Sequence, residues 1–293
     1  LIKEGPKEAL ALTTNTQPVM LVAGVAAWRV WRAEGGALPA VVAGHSLGEY
    51  SALVASGVLT LAQAAPLVRF RAAAMQEAVP VGTGAMAAIL GMDAARVIAG
   101  CAEAQATFGA GSAEVVEAVN FNDPAQTVIA GSKAAVEKAC EMLKASGAKR
   151  ALPLPVSAPF HSSLMKPAAE KLKEKLANTV LAAPQIPVVN NIDVAVQTDA
   201  DAIRVCFDIP AAVERQPGKL AATIVELERL FVRECCLAIR TKGIHTGDVS
   251  SDFLHECIER HHTEVLIASG AHCDGASFLL FIAYDQDVGK LLH

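Results

Sequence analysis

The stretch AVVAGHSLGEYSALVASGV, residues 40–58, constrains the fold of this chain more than any other. The short apolar run AVVA predicts a buried strand, and the run EYSALVA predicts a helix that ends at Gly57. Between them lies Gly-His-Ser-Leu-Gly, in which Gly44 and Gly48 leave room for a turn too tight for flanking side chains. A strand, a tight turn and a helix in this order predict a nucleophile elbow with Ser46 at its apex.

Two interpretations of Ser46 follow from this context. As a nucleophile, it would lie at a helix N-terminus, where free N–H groups and the helix dipole stabilise developing negative charge. The backbone N–H of Leu47 would then be the oxyanion donor. As a structural residue, Ser46 would cap the helix that follows.

A serine hydroxyl needs a neighbouring base before it can attack at neutral pH. His45 is adjacent to Ser46, and neighbouring side chains on a turn diverge, so we expect His45 to pack or to form hydrogen bonds beside the site. His161 lies in the loop sequence PFHSS and is the better base, unless it is a loop histidine without a catalytic role. Arg71 and Arg69 lie on the helix after the elbow helix, where a guanidinium indicates an acidic substrate or a solvated surface.

Composition excludes several classes of protein. Hydrophobic residues make up 53% of the chain and charged residues 19%, as in a globular protein and not a disordered one. Aromatic residues make up only 4% and the net charge is -5, so we expect no nucleic-acid partner. The most apolar run, PVMLVAGVAAWRV, is interrupted by Arg29, and we expect no membrane span. The charged opening LIKEGPKEAL does not predict a signal peptide, and the 7 cysteines lack framework spacing, so we expect a cytoplasmic protein.

The segment 84–156 predicts a small subdomain inserted into a larger α/β core. Its predicted elements follow the order β-α-β-β-α-β of a ferredoxin-like unit. The strands are predicted at 85–90, 113–121, 126–131 and 149–155, and the helices at 93–105 and 133–147. Residues 1–83 and 157–293 would form the core, with helices at 16–36, 49–55 and 61–78 and a buried strand at 186–194. The first of these helices is apolar almost all round, so we expect it to be buried on most faces.

Six stretches of the chain resemble the malonyl-CoA:acyl carrier protein transacylase family of bacterial fatty acid synthesis. They occur in the order of that family and span about residues 1–204. In sequence order they are TQPVMLVAGVAAWRVW, AGHSLGEYSALVASGV, RFRAAAMQEAVPVGTGAMAAILG, VNFNDPAQTVIAGSKAAVEKA, GAKRALPLPVSAPFHSSLMKPAAEKL and IPVVNNIDV. The resemblance implies an α/β-hydrolase-like core with a parallel sheet and an inserted ferredoxin-like subdomain.

The same resemblance implies a role for each site residue. Ser46 would be the acylated nucleophile and Leu47 N–H an oxyanion donor. His161 would be the base, and Arg71 would bind the free carboxylate of the malonyl group. Two further residues would line the substrate site, namely Asn122 in NFN and Phe160, whose pairing with His161 resembles the one associated with malonyl rather than branched acyl groups.

These roles imply a two-step acyl transfer in fatty acid biosynthesis. Malonyl-CoA would acylate Ser46, and the phosphopantetheine thiol of acyl carrier protein would then accept the malonyl group. The resemblance implies no cofactor and no metal, since malonyl-CoA is a substrate. Two other functions are compatible with the sequence: a catalytically impaired relative that binds acyl carrier protein, and a serine hydrolase or thioesterase with water as the acceptor.

The chain departs from the family pattern in two places. The family begins with a Gly-Gln-Gly-rich turn whose Gln supplies a second oxyanion N–H, and nothing of that kind precedes LIKEGPKEAL. After Arg204 the pattern dissolves, and residues 231–244 only briefly resemble the late helix of the family. Several residues beyond this point are of metal-binding types, but the spacing H-x-C-x₃-H-H is not a recognised zinc pattern. They are His255, Cys257, His261, His262, His272 and Cys273.

Overall fold

The structure is a computed structural model of the chain. It describes residues 5–6, 9–10, 12–33, 35, 38–39, 41–123, 125–156, 158–191, 195–206, 265–269 and 278–283. Residues 231–244, which briefly resemble the late helix of the family, and the metal-binding residue types near the C-terminus lie outside the described residues.

Within the described residues, the larger sheet contains five strands in the order β7-β6-β1-β9-β8. The strands are β1 (Val41–His45), β6 (Val188–Val189), β7 (Val196–Gln197), β8 (Val265–Ser269) and β9 (Phe278–Ala283). The central strand β1 pairs in parallel with β6 and with β9, whereas β7 and β8 pair antiparallel at the edges. The predicted parallel arrangement therefore holds for the centre of the sheet and is wrong at its edges. The connections into β7 and β9 are short in sequence, whereas a parallel crossover needs a dozen residues or more. Each of these strands therefore runs antiparallel to the strand before it.

Helices pack around this sheet and cover its core. They are α1 (Thr13–Ala33), α2 (Leu47–Ala55), α3 (Leu61–Ala78), α6 (Lys166–Ala177) and α7 (Ala200–Cys206). Helix α1 packs against α2 and α3, and α3 packs against α6. The start of α3 is fixed by a capping box, in which Thr60 Oγ1 accepts from Gln63 N at 3.2 Å and Gln63 Oε1 accepts from Thr60 N at 2.9 Å.

Helix α1 differs from its prediction in position and in burial. It was predicted at 16–36 with Thr16 as its cap, but it begins at Thr13, and Thr16 Oγ1 donates to Leu12 O one turn back at 3.0 Å. Its buried residues form one stripe that includes Gln17, Leu21 and Trp28, while Val22 and Val30 are exposed. The expectation of burial on most faces is therefore wrong. Although α1 is apolar on most faces, its buried residues among those described lie on one side of the helix.

Residues 84–153 contain the β-α-β-β-α-β order that the sequence predicts. The elements are β2 (Gly84–Leu90), α4 (Ala94–Ala106), β3 (Val116–Asp123), β4 (Gln126–Ser132), α5 (Lys133–Ala145) and β5 (Arg150–Pro153). In the described residues these strands form an antiparallel sheet in the order β3-β4-β2-β5. Both helices contact this sheet, and a cluster of apolar residues that includes Ile89, Ile129 and Leu143 fills the space between them.

The connection from β5 back to the larger sheet carries His161. It leads into a short 3₁₀ helix, Ser163–Met165, and then directly into α6. The strand predicted at 186–194 is much shorter in the structure, since β6 covers only Val188–Val189. Asn190 ends it: the Asn190 backbone N–H and the Asn190 side-chain amide both donate to Ala195 O, at 3.2 and 3.1 Å. This short return brings the chain to β7.

Candidate active site

Ser46 lies at the apex of a strained turn between β1 and α2. Its backbone has φ 51° and ψ −106°, and non-glycine residues rarely adopt a positive φ. The turn is also unusually tight: a Cβ placed on Gly44 would lie 2.0 Å from the carbonyl carbon of Gly48. Gly44 is therefore required by close approach of backbone to backbone. Ser46 makes no side-chain capping hydrogen bond, so the capping interpretation is wrong.

The structure brings Ser46 and His161 together across the site. Ser46 Oγ lies 3.2 Å from His161 Nε2, within the reach of a nucleophile and its base. With Nε2 as the acceptor, the Ser46 hydroxyl donates a hydrogen bond to the imidazole. His161 itself has φ 64°, so both partners of this contact have unusual backbone conformations.

Arg71 is buried beside the same hydroxyl. Only 4% of it is exposed, and its Nη2 donates to Ser46 Oγ at 2.9 Å. Its Nη1 donates to Gln17 Oε1 at 2.5 Å, and its guanidinium carbon lies 5.7 Å from the centre of the Tyr50 ring. Burial lowers the pKa of the Arg71 guanidinium, an effect partly opposed by Tyr50 and Glu49. Even so, an arginine in a protein stays protonated, so the site holds a buried positive charge.

No carboxylate of the described residues forms an ion pair with Arg71. The ion pair recorded among the described residues joins Lys171 Nζ to Glu77 Oε2 at the surface, at 2.9 Å. Within the same residues, Arg71 Nε is buried without a hydrogen-bond partner. A buried cation with an unused donor beside a nucleophile can hold an anionic group.

The other predicted site residues are placed less decisively. Leu47 is the first residue of α2, where backbone N–H groups lack partners within the helix. Phe160 is buried in an apolar cluster that includes Met86 and Met165, and so anchors the loop that carries His161. Asn122 is half-buried on β3, and no hydrogen bond of the described residues joins it to Ser46, Arg71 or His161.

Sequence reasoning missed three residues that shape the site. Gln17 is buried on α1 and holds Arg71. Asn191 follows β6, and its side chain accepts from Ser46 N at 2.9 Å and donates to Gly44 O at 2.6 Å. Glu117 on β3 accepts from Ser163 N at 2.6 Å, two residues after His161. Of these three residues, Gln17 alone gave a sequence signal of a role in the site, because it is a polar residue on the buried stripe of an amphipathic helix.

His161 also lines a cleft beside the smaller sheet. We call this the α4–β3 cleft: it has a volume of about 690 Å³ and lies between α4 and β3. Its lining includes Cys101, Gln105, Glu114, Glu117 and His161.

The comparisons with known proteins agree with this geometry. Residues 1–229 match the family model described as acyl transferase domain. The chain belongs to this family, with the malonyl CoA-acyl carrier protein transacylases as its relatives. The transacylase of Salmonella typhimurium is 56% identical over 204 residues, which cover 70% of this chain and 64% of that protein. The one of Bacillus subtilis is 48% identical over 199 residues, 68% of this chain and 61% of that protein.

Solved structures give the same result. The acyl-carrier-protein S-malonyltransferase of Burkholderia pseudomallei is 59% identical with a TM-score of 0.69, covering 77% of this chain and 71% of that one. A second solved structure is that of a type II polyketide synthase acyl carrier protein in complex with its malonyl-transacylase. It matches at 51% identity with a TM-score of 0.67, and the match covers 72% of this chain and 66% of the solved chain. The chain spans less than two-thirds of the length of the curated relatives that it matches.

The residues that the structure describes show neither a metal-binding cluster nor a membrane-spanning helix. Those residues contain no group of three or more His, Cys, Asp or Glu side chains that could hold a metal ion. No helix in the described part is both long enough and apolar enough to cross a membrane.

Proposed function

We propose that this protein transfers the malonyl group from malonyl-CoA to the phosphopantetheine thiol of acyl carrier protein, in fatty acid biosynthesis. The observation that carries the proposal is the buried Arg71 guanidinium, which donates to Ser46 Oγ and has no carboxylate partner in the described residues. Family membership supports acyl transfer, and Arg71 supports an acyl group that ends in a carboxylate.

The reaction follows from the contacts of Ser46. His161 Nε2 takes the proton of Ser46 Oγ while the oxygen attacks the thioester carbonyl of malonyl-CoA. The tetrahedral oxyanion forms at the N-terminus of α2, where we expect the Leu47 N–H to donate to it. As the intermediate collapses, the carbon–sulfur bond breaks and His161 returns its proton to the CoA thiolate. Malonyl-Ser46 remains as an ester.

The second step is the reverse chemistry with a different thiol. The phosphopantetheine thiol of acyl carrier protein gives its proton to His161 and attacks the ester carbonyl. The bond to Ser46 Oγ breaks, His161 reprotonates that oxygen, and malonyl-acyl carrier protein leaves. No oxidant or reductant takes part, and we propose that no cofactor or metal does either. Asn122 and Phe160 are proposed to line the acyl site, as the family resemblance implies.

The acyl carrier protein is proposed to dock on a basic surface, because carrier proteins of this kind are acidic. Lysines on one helix, α6, are exposed, namely Lys166, Lys171, Lys173 and Lys175. Lys171 is paired with Glu77, and Lys175 lies 5.6 Å from the centre of the Phe70 ring, so Lys166 and Lys173 are the better candidates of this set. Lys149 and Arg150 form a second exposed basic pair.

The finer architecture is part of the same proposal. We infer an α/β-hydrolase-like core, residues 1–83 and 157–293, with a ferredoxin-like subdomain at 84–156. The parallel pairing at the centre of the larger sheet and the antiparallel order β3-β4-β2-β5 of the smaller one support it. A cytoplasmic location is proposed from the 7 cysteines without framework spacing.

Intact mass spectrometry after mixing with malonyl-CoA tests the function. We expect one malonyl group to be added to the wild-type protein and none to Ser46→Ala. Adding holo-acyl carrier protein should remove the malonyl group from Ser46 and place it on the carrier. Release of free malonate without transfer would favour the hydrolase function. A folded wild-type protein that gains no mass would favour the impaired relative that only binds the carrier.

Arg71→Leu tests the acyl selectivity. Loss of a charge-assisted hydrogen bond to a buried carboxylate removes about 2–4 kcal/mol, so malonyl loading should slow by about 30- to 1000-fold. Acetyl-CoA has no carboxylate, and its slow loading should change much less. Arg69→Leu is the matched control, because Arg69 lies two residues away on α3, is exposed and donates to Asn15 Oδ1 at 3.3 Å, away from Ser46. Equal losses with both acyl groups would contradict the proposed role.

A further inference from the structure

We propose that Asn191 is a positioning residue for the nucleophile, because its side-chain amide extends the parallel sheet by one peptide-like unit and holds the backbone of Ser46 in its strained conformation. This inference rests on the proposed function in one respect, namely that Ser46 is the nucleophile. It adds a residue outside the Ser46, His161 and Arg71 set.

The ladder between β1 and β6 ends just before the turn. Val42 pairs with Val188 and Ala43 with Val189, after which β6 stops. Asn191 Nδ2 then donates to Gly44 O at 2.6 Å, and Asn191 Oδ1 accepts from Ser46 N at 2.9 Å. A backbone residue in a parallel ladder makes the same two bonds, one to a carbonyl and one to the N–H two residues later. The side-chain amide thus takes the place of a peptide group.

The two hydrogen bonds of the Asn191 side chain lie where the backbone is strained. A non-glycine residue with positive φ costs about 1–2 kcal/mol and persists only where its surroundings over-determine it. At Ser46 the φ is 51°, and the two bonds of Asn191 fix the carbonyl before and the N–H after His45. The direction of the Ser46 side chain, and with it the 3.2 Å contact to His161 Nε2, depends on that backbone.

Asn191 is itself held by the helix that follows the turn. Its backbone N–H donates to Glu49 Oε1 at 3.3 Å, and Glu49 is buried on α2. The turn, the end of β6 and the start of α2 are therefore joined through one asparagine. An alanine at this position would leave Gly44 O and Ser46 N–H without these two partners, and the turn would be free to relax.

The test measures the reactivity of Ser46 and does not use malonyl-CoA. A fluorophosphonate probe labels an activated serine whatever its natural acyl group, and peptide mapping reports whether the label is on Ser46. Labelling rates are compared for the full-length wild type, Asn191→Ala, Asn191→Asp and Asn190→Asp between pH 6 and 9. Asn190→Asp is the matched control, because Asn190 is the buried neighbour and donates to Ala195 O, away from Ser46. Thermal unfolding of each variant shows that it is folded.

We expect Asn191→Ala to label about 10- to 100-fold more slowly, since small misplacement of a reacting group has effects of this size. In Asn191→Asp, the neutral carboxyl group can donate to Gly44 O and accept from Ser46 N–H, as the amide does, but the carboxylate cannot donate. Asn191→Asp should therefore label more slowly than wild type across this pH range, in which the carboxyl group is ionised. Glu49, His161 and Arg71 face this region, and comparison with wild type at each pH removes the titration that both proteins share.

Other results would overturn the inference. A folded Asn191→Ala protein that labels at the wild-type rate would show that the turn does not need the hydrogen bonds of Asn191. Loss of labelling as large in Asn190→Asp would assign the effect to the loop, and labelling of Asn191→Asp at the wild-type rate would exclude the amide-like pattern, because the carboxylate cannot donate to Gly44 O. Wild type that labels at Ser46 but is not acylated by malonyl-CoA would contradict the proposed function alone. Wild type that reacts with neither would contradict both.

Discussion

The turn at Ser46 and the loop at His161 reach the same kind of backbone by different means. Both residues are non-glycine with positive φ, 51° at Ser46 and 64° at His161. The Ser46 turn is built mainly by local residues, namely a strand before it, a helix after it and Gly44 against Gly48, and Asn191 adds a contact from a distant segment. The loop at His161 contains no glycine between residues 155 and 165. It is held from other parts of the fold.

Among the described residues, the contacts that hold the His161 loop include one within the loop and two to other parts of the fold. Phe160 is buried in the cluster with Met86 and Met165, Ser162 Oγ donates to Pro159 O at 2.7 Å, and Ser163 N donates to Glu117 Oε2 at 2.6 Å. Glu117 belongs to β3 of the smaller sheet. The nucleophile is therefore positioned within the larger sheet, whereas the base depends on a contact with the smaller unit. Substitutions should separate these two kinds of support.

Gly44→Ala should have the largest effect, because it breaks the local support. The new Cβ would lie 2.0 Å from the carbonyl carbon and 2.1 Å from the carbonyl oxygen of Gly48, and backbone atoms cannot move aside cheaply. Displacing the turn by about 1 Å is enough for a loss of about 10²-fold, and we expect at least that loss of Ser46 acylation. The measurement is the rate of malonyl loading by intact mass, with thermal unfolding alongside.

Gly35→Ala is the control for Gly44→Ala. Gly35 has φ +79° and nothing within 4 Å of its Cβ position, so the substitution adds backbone strain without crowding. It should cost about 1 kcal/mol of stability and leave loading unchanged. Normal loading by a folded Gly44→Ala protein would show that the close approach of Gly44 and Gly48 is not needed for the nucleophile.

Glu117→Ala should have a smaller effect, since it removes one of the supports of the His161 loop. A hydrogen bond to a charged group contributes about 1.5–3 kcal/mol, of which we expect a part to reach the reaction as a roughly tenfold loss of kcat. Glu117→Gln keeps an oxygen acceptor for Ser163 N–H and should stay within about threefold of wild type. KM for malonyl-CoA should change little in either variant, because the contact lies on the backbone beyond His161.

Glu114→Ala is the matched control for Glu117. Glu114 lines the same cleft, but its carboxylate accepts from the Ser132 hydroxyl, not from the His161 loop. Glu114→Ala should therefore keep the wild-type kcat. If Glu117→Gln were as slow as Glu117→Ala, the charge of Glu117 would matter and not its acceptor. If all three variants kept the wild-type kcat, the loop would be held by Phe160 and Ser162 without Glu117.

The same contrast explains which parts of the site could be predicted from the sequence. Gly44, Ser46 and Gly48 are adjacent in sequence as they are in space, so a local pattern was sufficient to place the turn. The helix Leu61–Ala78 was predicted with its observed bounds, because its cap, its apolar spacing and its end are also local signals. The order β-α-β-β-α-β was predicted for the same reason.

Contacts between distant segments carried no such signal. Glu117 is 46 residues from Ser163, and Asn191 is 145 residues from Ser46. An asparagine after a strand is common in turns, and nothing in NNID separates the residue that holds Ala195 O from the one that holds Ser46. His161 and Arg71 were placed through the family resemblance and by elimination, and the distances of 3.2 and 2.9 Å to Ser46 Oγ agree with that placement.

The smallest expected effect concerns a second potential nucleophile, Cys101, in the α4–β3 cleft with His161. The environment of its thiol is the opposite of that of Ser46. Burial, then Cys140 and Glu117, raise the pKa of Cys101 to about 12. The thiolate is the reactive form, and at pH 8 it would be only about 10⁻⁴ of the population at such a pKa. Among the described residues, no lysine or arginine lines the cleft at Cys101, so Cys101 should take no part in the reaction.

Alkylation of the native protein with iodoacetamide at pH 8, followed by peptide mapping, checks this. Cys101 should remain unmodified in the folded protein and react fully after unfolding in urea, and malonyl loading should change by less than about twofold after the native treatment. Because the folded pKa of this thiol is raised, its contribution to stability is complete below the unfolded pKa. It should be lost as the pH rises from about 9 towards about 12. Fast alkylation of Cys101 with loss of loading would mean that a second nucleophile is activated near His161, and that the fold alone does not select Ser46.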